Sequence, residues 1–117
     1  MAGFLKAARS VGEEGKQAVE AFVRANNSRD LALLNQVFDA GARGVIFEGD
    51  SSFMSLPELL ARSAHLAVHK LISAGDRVSC SLEMKSGGRT QFCIGLIEFN
   101  WNTRMIDNVR FFLDQGS

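Results

Sequence analysis

The 117-residue chain has no tyrosine, one proline, one tryptophan and two cysteines. Without tyrosine, no phenolic hydroxyl is available anywhere as an acid or an oxyanion donor. One proline and eleven scattered glycines leave no linker, repeat or low-complexity segment, and this length holds one domain rather than two. Two cysteines, with no hydrophobic run fit for export in MAGFLKAARS, point to a reducing, cytoplasmic compartment. Charge of one sign is missing too. Thirteen Lys and Arg balance thirteen Asp and Glu, so no basic face is implied and nucleic acid is not an expected partner. No apolar stretch reaches membrane-spanning length, so no membrane is expected either.

What is present is an ordinary globular balance, 46% hydrophobic against 22% charged, arranged in periodic segments. Ala18, Val19, Phe22, Val23 and Asn26 recur at helical spacing, with Lys16, Glu20 and Arg24 opposite, which predicts a first helix ending near Asn26-Asn27-Ser28. Residues 1–11 form an extension ahead of a single domain over 12–117. Asp30 is placed to cap a second helix carrying Leu31, Leu34, Val37 and Phe38, ended by Ala40-Gly41-Ala42. GVIFEG, from Gly44 to Gly49, reads as one strand. Ser55 and Glu58 can form a capping box for a third helix over 56–64, with Pro57 in its first turn.

Three β-patterned runs follow: LISAGDRVSCSLEMK, RTQFCIGLIEFNW and RMIDNVRFFLD. Ser86-Gly87-Gly88 and Asn102-Thr103 join them, and such short turns connect antiparallel neighbours. Asp76 marks a turn or bulge that bends the first run. Helices followed by a long meander predict an α+β domain, with the helices packed in the concave face of a strongly curved, mostly antiparallel sheet.

The segments RANNSRDLALLNQVF, SAGDRVSCSLEMK and LIEFNWNTRMIDNVRFFLD resemble the nuclear-transport-factor-2-like superfamily. This cystatin-like α+β cone includes SnoaL-type cyclases and ketosteroid isomerase, and the likeness spans roughly residues 16–114. It implies the cone fold and a SnoaL-like domain whose interior could hold a small, largely apolar ligand. It implies no particular activity, because this superfold hosts enzymes, binding modules and assembly domains alike.

Strand alternation then assigns faces. A two-residue turn at Ser86-Gly87 sets Cys80 opposite Cys93. Cys80, Leu82, Met84, Cys93, Gly95, Ile97 and Phe99 then point inward, and the resemblance places Ile106, Asn108, Arg110 and Phe112 inward as well. The expected ligand-lining set is Cys80, Leu82, Met84, Cys93, Ile97, Phe99 and Phe112. Phe92, Ile94, Leu96, Met105, Val109, Phe111 and Leu113 fall outside. That is too much apolar surface for a soluble monomer, so a homodimer through the outer sheet face is expected.

Glu48 lies near where the isomerases carry their catalytic carboxylate, and burial in an apolar cone would make it a usable general base. Asn108 would donate a hydrogen bond, and Arg110 would pair with Glu48 inside the cavity. Gly95 stands where the resemblance puts a proton-donating aspartate, and with tyrosine missing too, steroid isomerisation is excluded for want of oxyanion donors. His65 and His69 have the i, i+4 spacing of helical zinc pairs but no evident third ligand, so no metal is expected, and no cofactor. Cys80 and Cys93 read as two buried thiols in the core. Two functions stay open: an acid–base enzyme or binder of a small apolar molecule, and a non-catalytic dimerisation or assembly module with a filled core. A pocket of roughly 300 Å³ or more would favour the first.

Overall fold

A computed structural model of the protein describes residues 2–48, 52–100 and 102–113, with side chains from residue 13 onward. Gly49, expected at a strand end, lies outside the described residues, as do Trp101 and Asp114. Three helices and six strands follow in the order α1 (Ala2–Ser28), α2 (Leu31–Val37), β1 (Gly44–Glu48), β2 (Ser52–Ser55), α3 (Leu56–Ala61), β3 (His65–Ala74), β4 (Arg77–Ser86), β5 (Arg89–Asn100) and β6 (Met105–Leu113). The strands form one sheet in the order β2-β1-β6-β5-β4-β3, in which β1 and β6 run parallel and the other described neighbours antiparallel. The fold is the expected α+β arrangement.

α1 is a single helix from Ala2, so the residues expected as an extension are continuous with it. Val19, Phe22, Ala25 and Asn26 form its buried stripe. Gly15 lets the helix approach the sheet closely, because a Cβ there would stand 3.0 Å from Val78 Cγ2. The helix ends on Arg29 in a left-handed conformation (φ 57°), with the N–H groups of Arg29 and Asp30 donating to the carbonyls of Asn26 and Ala25. Asp30 then accepts from the Leu33 N–H at 3.1 Å and starts α2. α3 starts in the same way: Ser55 Oγ accepts from the Glu58 N–H at 3.4 Å and donates to Glu58 Oε1 at 2.9 Å.

Consecutive asparagines pin α1 to the open edge of β3. Asn27 exchanges two hydrogen bonds with the backbone of Leu66, at 2.8 and 2.9 Å, as a neighbouring strand would. Asn26, 1% exposed, donates to the Ala64 carbonyl at 2.9 Å.

Four sequence expectations change. LISAGDRVSCSLEMK is not one bent strand but the hairpin β3–β4, turning at Gly75 (φ 65°) and Asp76. β2 was not anticipated. The β4–β5 turn is Gly87-Gly88, both at positive φ, so Ser86 pairs with Arg89 and Cys80 faces Gly95 instead of Cys93. That slip of two residues keeps every side chain on its assigned face.

The fourth change does not. Glu98 pairs with Asn108 while the next residue, Phe99, pairs with Ile106, leaving Asp107 as an extra residue in β6. This bulge inverts the faces beyond it. Ile106, Val109 and Phe111 point inward and are wholly buried, whereas Asn108, Arg110 and Phe112 point to the convex side, against expectation. The Ile106 carbonyl also accepts from the Asp39 N–H at 2.8 Å, tying the end of α2 to the bulge.

The concave side closes around aromatic rings. Phe111 stacks on Phe22 at 6.3 Å between ring centres and meets Phe47 at a tilt at 5.5 Å, and Phe22 meets Phe38 edge-on at 5.5 Å. Gly95 sits against this cluster: a Cβ there would lie 2.8 Å from Cys80 Sγ and 3.4 Å from Phe111 Cε1. Gly95→Ala should therefore destabilise the protein by about 1–3 kcal/mol through overpacking, and Phe111→Ala by about 3–5 kcal/mol through an unfilled cavity. Urea unfolding midpoints at an unchanged m-value test both.

Candidate functional site

Six of the seven residues expected to line a ligand cavity face inward. Cys80, Leu82, Met84, Cys93, Ile97 and Phe99 are each no more than 4% exposed and belong to the packed core. The seventh, Phe112, is 42% exposed on the convex face. The Gly95 position, where the resemblance sets a proton-donating aspartate, is occupied by the sulfur of Cys80 and the ring of Phe111. Among the described residues the only buried polar side chain is Asn26, held by Ala64 and Asn27.

Glu48 and Arg110 meet as expected, but elsewhere. Arg110 Nη1 donates to Glu48 Oε1 at 3.2 Å on the convex face, with the side chains 28% (Glu48) and 45% (Arg110) exposed. Parallel pairing of Ile46 with Arg110 and Glu48 with Phe112 brings them together. A half-exposed pair of this kind contributes little to stability, typically ~0–1 kcal/mol. Asn108, expected as an inward donor, instead reaches Glu98 Oε1 at 3.5 Å on the same outer face. No substrate inside the cone could touch these three groups.

The convex face is where chemistry and shape coincide. Phe92, Ile94 and Phe112 are 55%, 48% and 42% exposed, and Phe53 on β2 is 63% exposed. Val109, Phe111 and Leu113, expected to join them, turn inward because of the Asp107 bulge. Phe92, Ile94, Phe112, Ser81 and His69 surround a depression of about 350 Å³, which Leu82, Cys93 and Leu113 also line. His69 occupies a second bulge, between Val68 and Lys70, and its Nε2 lies 3.6 Å from Glu83 Oε2, which Lys85 Nζ approaches at 3.8 Å. His65 and His69 thus lie on a strand, not on a helix, and no group of three His, Cys, Asp or Glu residues gathers there among the described residues. Elsewhere, Arg62 lies over the Phe47 ring at 4.7 Å, and Arg104 pairs with Glu14 across α1 and the β5–β6 turn.

Phe53 and the two bulges were missed from sequence. The β6 bulge had a signal: adjacent Asp107 and Asn108 interrupt the alternation, and counting one of them as inserted puts Val109, Phe111 and Leu113 inside. The His69 bulge had none.

No family model matches the sequence, and no curated protein does. Solved structures match the fold. A protein of unknown function with a cystatin-like fold from Methylobium petroleophilum superposes with a TM-score of 0.78 at 12% identity, covering 91% of this chain and 79% of that one. A nuclear-transport-factor-2-like protein of unknown function from Cytophaga hutchinsonii gives 0.72 at 16% identity, over 86% and 89%. An epoxide hydrolase of the LEH-like type from M. tuberculosis gives 0.73 at 19% identity, over 88% and 84%. The chain has the nuclear-transport-factor-2-like, cystatin-like fold. Among the described residues no helix is long and apolar enough to cross a membrane.

Burial pushes the Cys80 thiol up to about 11, with a hydrogen bond from the Gly95 backbone opposing the shift. Burial, reinforced by neighbouring Cys80, pushes Cys93 up to about 12. The folded state thus holds both protons above pH 9.0, where the unfolded chain releases them. Stability should fall as pH rises from about 9 toward 11–12, because the unfolded chain there releases thiol protons that the fold retains. Neither thiol should react with a disulfide reagent at pH 8 until the protein unfolds; rapid labelling of the native state would contradict this burial.

Proposed function

We propose that this chain is a non-catalytic assembly module that forms a homodimer through the convex face of its sheet. The observation that carries the reading is the filled cone. Gly95 has no room even for a methyl group, and the inward side chains of β4, β5 and β6 pack against Phe22, Phe38 and Phe47. Catalysis on an apolar substrate needs a titratable group facing a space that admits it. Here Glu48, Glu83 and Arg110 stand on the opposite side of the sheet, together with the hydrogen-bonding amide of Asn108.

The convex face supports the second half of the reading. An antiparallel sheet with one face in water normally alternates with polar residues there, whereas β5 carries Phe92, Ile94 and Leu96 and β6 carries Phe112. Exposed aromatic and aliphatic side chains on one contiguous face mark a surface meant to be covered. The Glu48–Arg110 pair can enter an interface already neutralised, which lowers the cost of burying either charge.

Size-exclusion with light scattering should give twice the 12.8 kDa chain mass for the wild type. Phe92→Glu with Phe112→Glu should give a folded monomer with an unchanged circular dichroism spectrum. A wild-type monomer at tens of micromolar, or a double variant that stays dimeric, would overturn the assignment. A panel of small apolar compounds should leave the thermal midpoint unmoved, and a saturable rise with any of them would restore the ligand-binding reading.

A further inference from the structure

The two edges of the sheet are very different templates for a further strand. β2, at one edge, runs only from Ser52 to Ser55 before α3 begins. β3, at the other, runs from His65 to Ala74 with β4 on one side alone. A long edge strand presents a row of unpaired N–H and C=O groups, onto which another chain can add. In an antiparallel ladder it is the groups of alternate residues that turn outward. Asn27 shows which residues these are. Its side chain donates to the Leu66 carbonyl at 2.9 Å and accepts from the Leu66 N–H at 2.8 Å. Leu66 therefore faces the open edge, and alternation carries the row on to Val68. The bulge at His69 then breaks it, leaving only residues 70–74 before the turn at Gly75.

We propose that Asn27 is a stopper: its amide occupies, from within the same molecule, the place on the β3 edge where a strand of another chain would dock. A primary amide offers a donor and an acceptor side by side, as a peptide group does. It therefore satisfies both backbone groups of Leu66 and leaves a newcomer nothing to bond there. Residue choice supports the role, since asparagine is a weak helix former and Asn27 stands in the last turn of α1. Asn26 fixes the stopper in place. Its Nδ2 donates to the Ala64 carbonyl at 2.9 Å and to Asn27 Oδ1 at 3.2 Å, which holds that oxygen toward the Leu66 N–H. Asn27 thus closes the stretch 65–68, and the bulge puts the remainder out of step, with a charged residue, Lys70, at its start. This device is independent of the homodimer reading. Whatever discrete state the chain adopts, Asn27 keeps association from continuing edge to edge into an open-ended sheet.

The test compares full-length variants at position 27. Asn27→Ala removes both bonds while improving helix propensity, and amide exchange at Leu66 should quicken at least tenfold. Size-exclusion with light scattering should give the wild type one mass at all concentrations. The mass of Asn27→Ala should grow with concentration and time, at least tenfold faster than that of Ser55→Ala. That second variant removes the cap of α3, so it weakens the fold without touching the β3 edge. Asn27→Asp loses the bond to the Leu66 carbonyl but sets a charge at the edge, and should keep a fixed mass. Growth no faster than in Ser55→Ala, or equal growth in Asn27→Asp, would overturn the stopper. So would fast exchange at Leu66 with an unchanging mass, or a wild type that itself grows. If Asn27→Ala does not fold, Asn27→Ser carries the same comparison, because its shorter side chain cannot bridge both groups of Leu66.

Discussion

A single inserted residue in β6 decides which side of this sheet can do anything. With Asp107 bulged out between the Glu98–Asn108 and Phe99–Ile106 pairs, Val109 and Phe111 turn into the cone and Arg110 and Phe112 turn away from it. Were β6 to alternate regularly through Asp107, without the bulge, the guanidinium would lie among apolar side chains, where an unpaired charge costs several kcal/mol. With it, Phe111 reaches Phe22 and Phe47 and completes the aromatic core. The same residue supplies the convex face with Phe112 and brings Arg110 beside Glu48. The bulge is fixed from both sides, by the β5 ladder and by the Asp39 N–H donating to Ile106.

Closure of the interior follows from how α1 is held. Asn26 and Asn27 attach its C-terminal turn to Ala64 and Leu66, and Gly15 lets the helix lie close on Val78. A helix clamped at one end to the sheet edge and closely packed further along presses its buried stripe into the cone rather than standing off it. The Phe22 ring is thereby placed between Phe38 and Phe111. A small residue facing such a core leaves space that its neighbours can take. Here Gly95 is the small residue, and Cys80 and Phe111 use its space.

Most of the architecture was legible because it depends on patterns longer than one residue. The helical spacing from Ala18 to Asn26, the capping residues Asp30 and Ser55, and the glycine turn at 87–88 each signal an element through its own chemistry. Facing on β4 and β5 was legible for the same reason, and survived a turn misplaced by one residue because the resulting slip was two. Facing on β6 was not. Alternation carries no memory across an inserted residue, so an argument counted through Asp107 reverses for Asn108, Arg110 and Phe112. β2 was illegible on other grounds: four residues after a short connection are too few to show a period.

The Glu48–Arg110 pair shows how a right contact can come from a wrong cavity. Pairing depended on β1 and β6 lying side by side in parallel, which the fold guarantees, and both side chains share a face whichever face that is. The costs differ between the two faces. Inside the cone the pair would be a desolvated ion pair needing further hydrogen bonds to break even, whereas outside it both side chains keep part of their contact with water. In the proposed dimer, coverage by a second copy would return the pair to a low-dielectric setting only after both charges are matched, and attraction would strengthen there because water is excluded. In the proposed dimer, charge placement and hydrophobic surplus on the convex face favour the same event, association, while the described concave side chains of β4, β5 and β6 pack against the rings of α1 and β1.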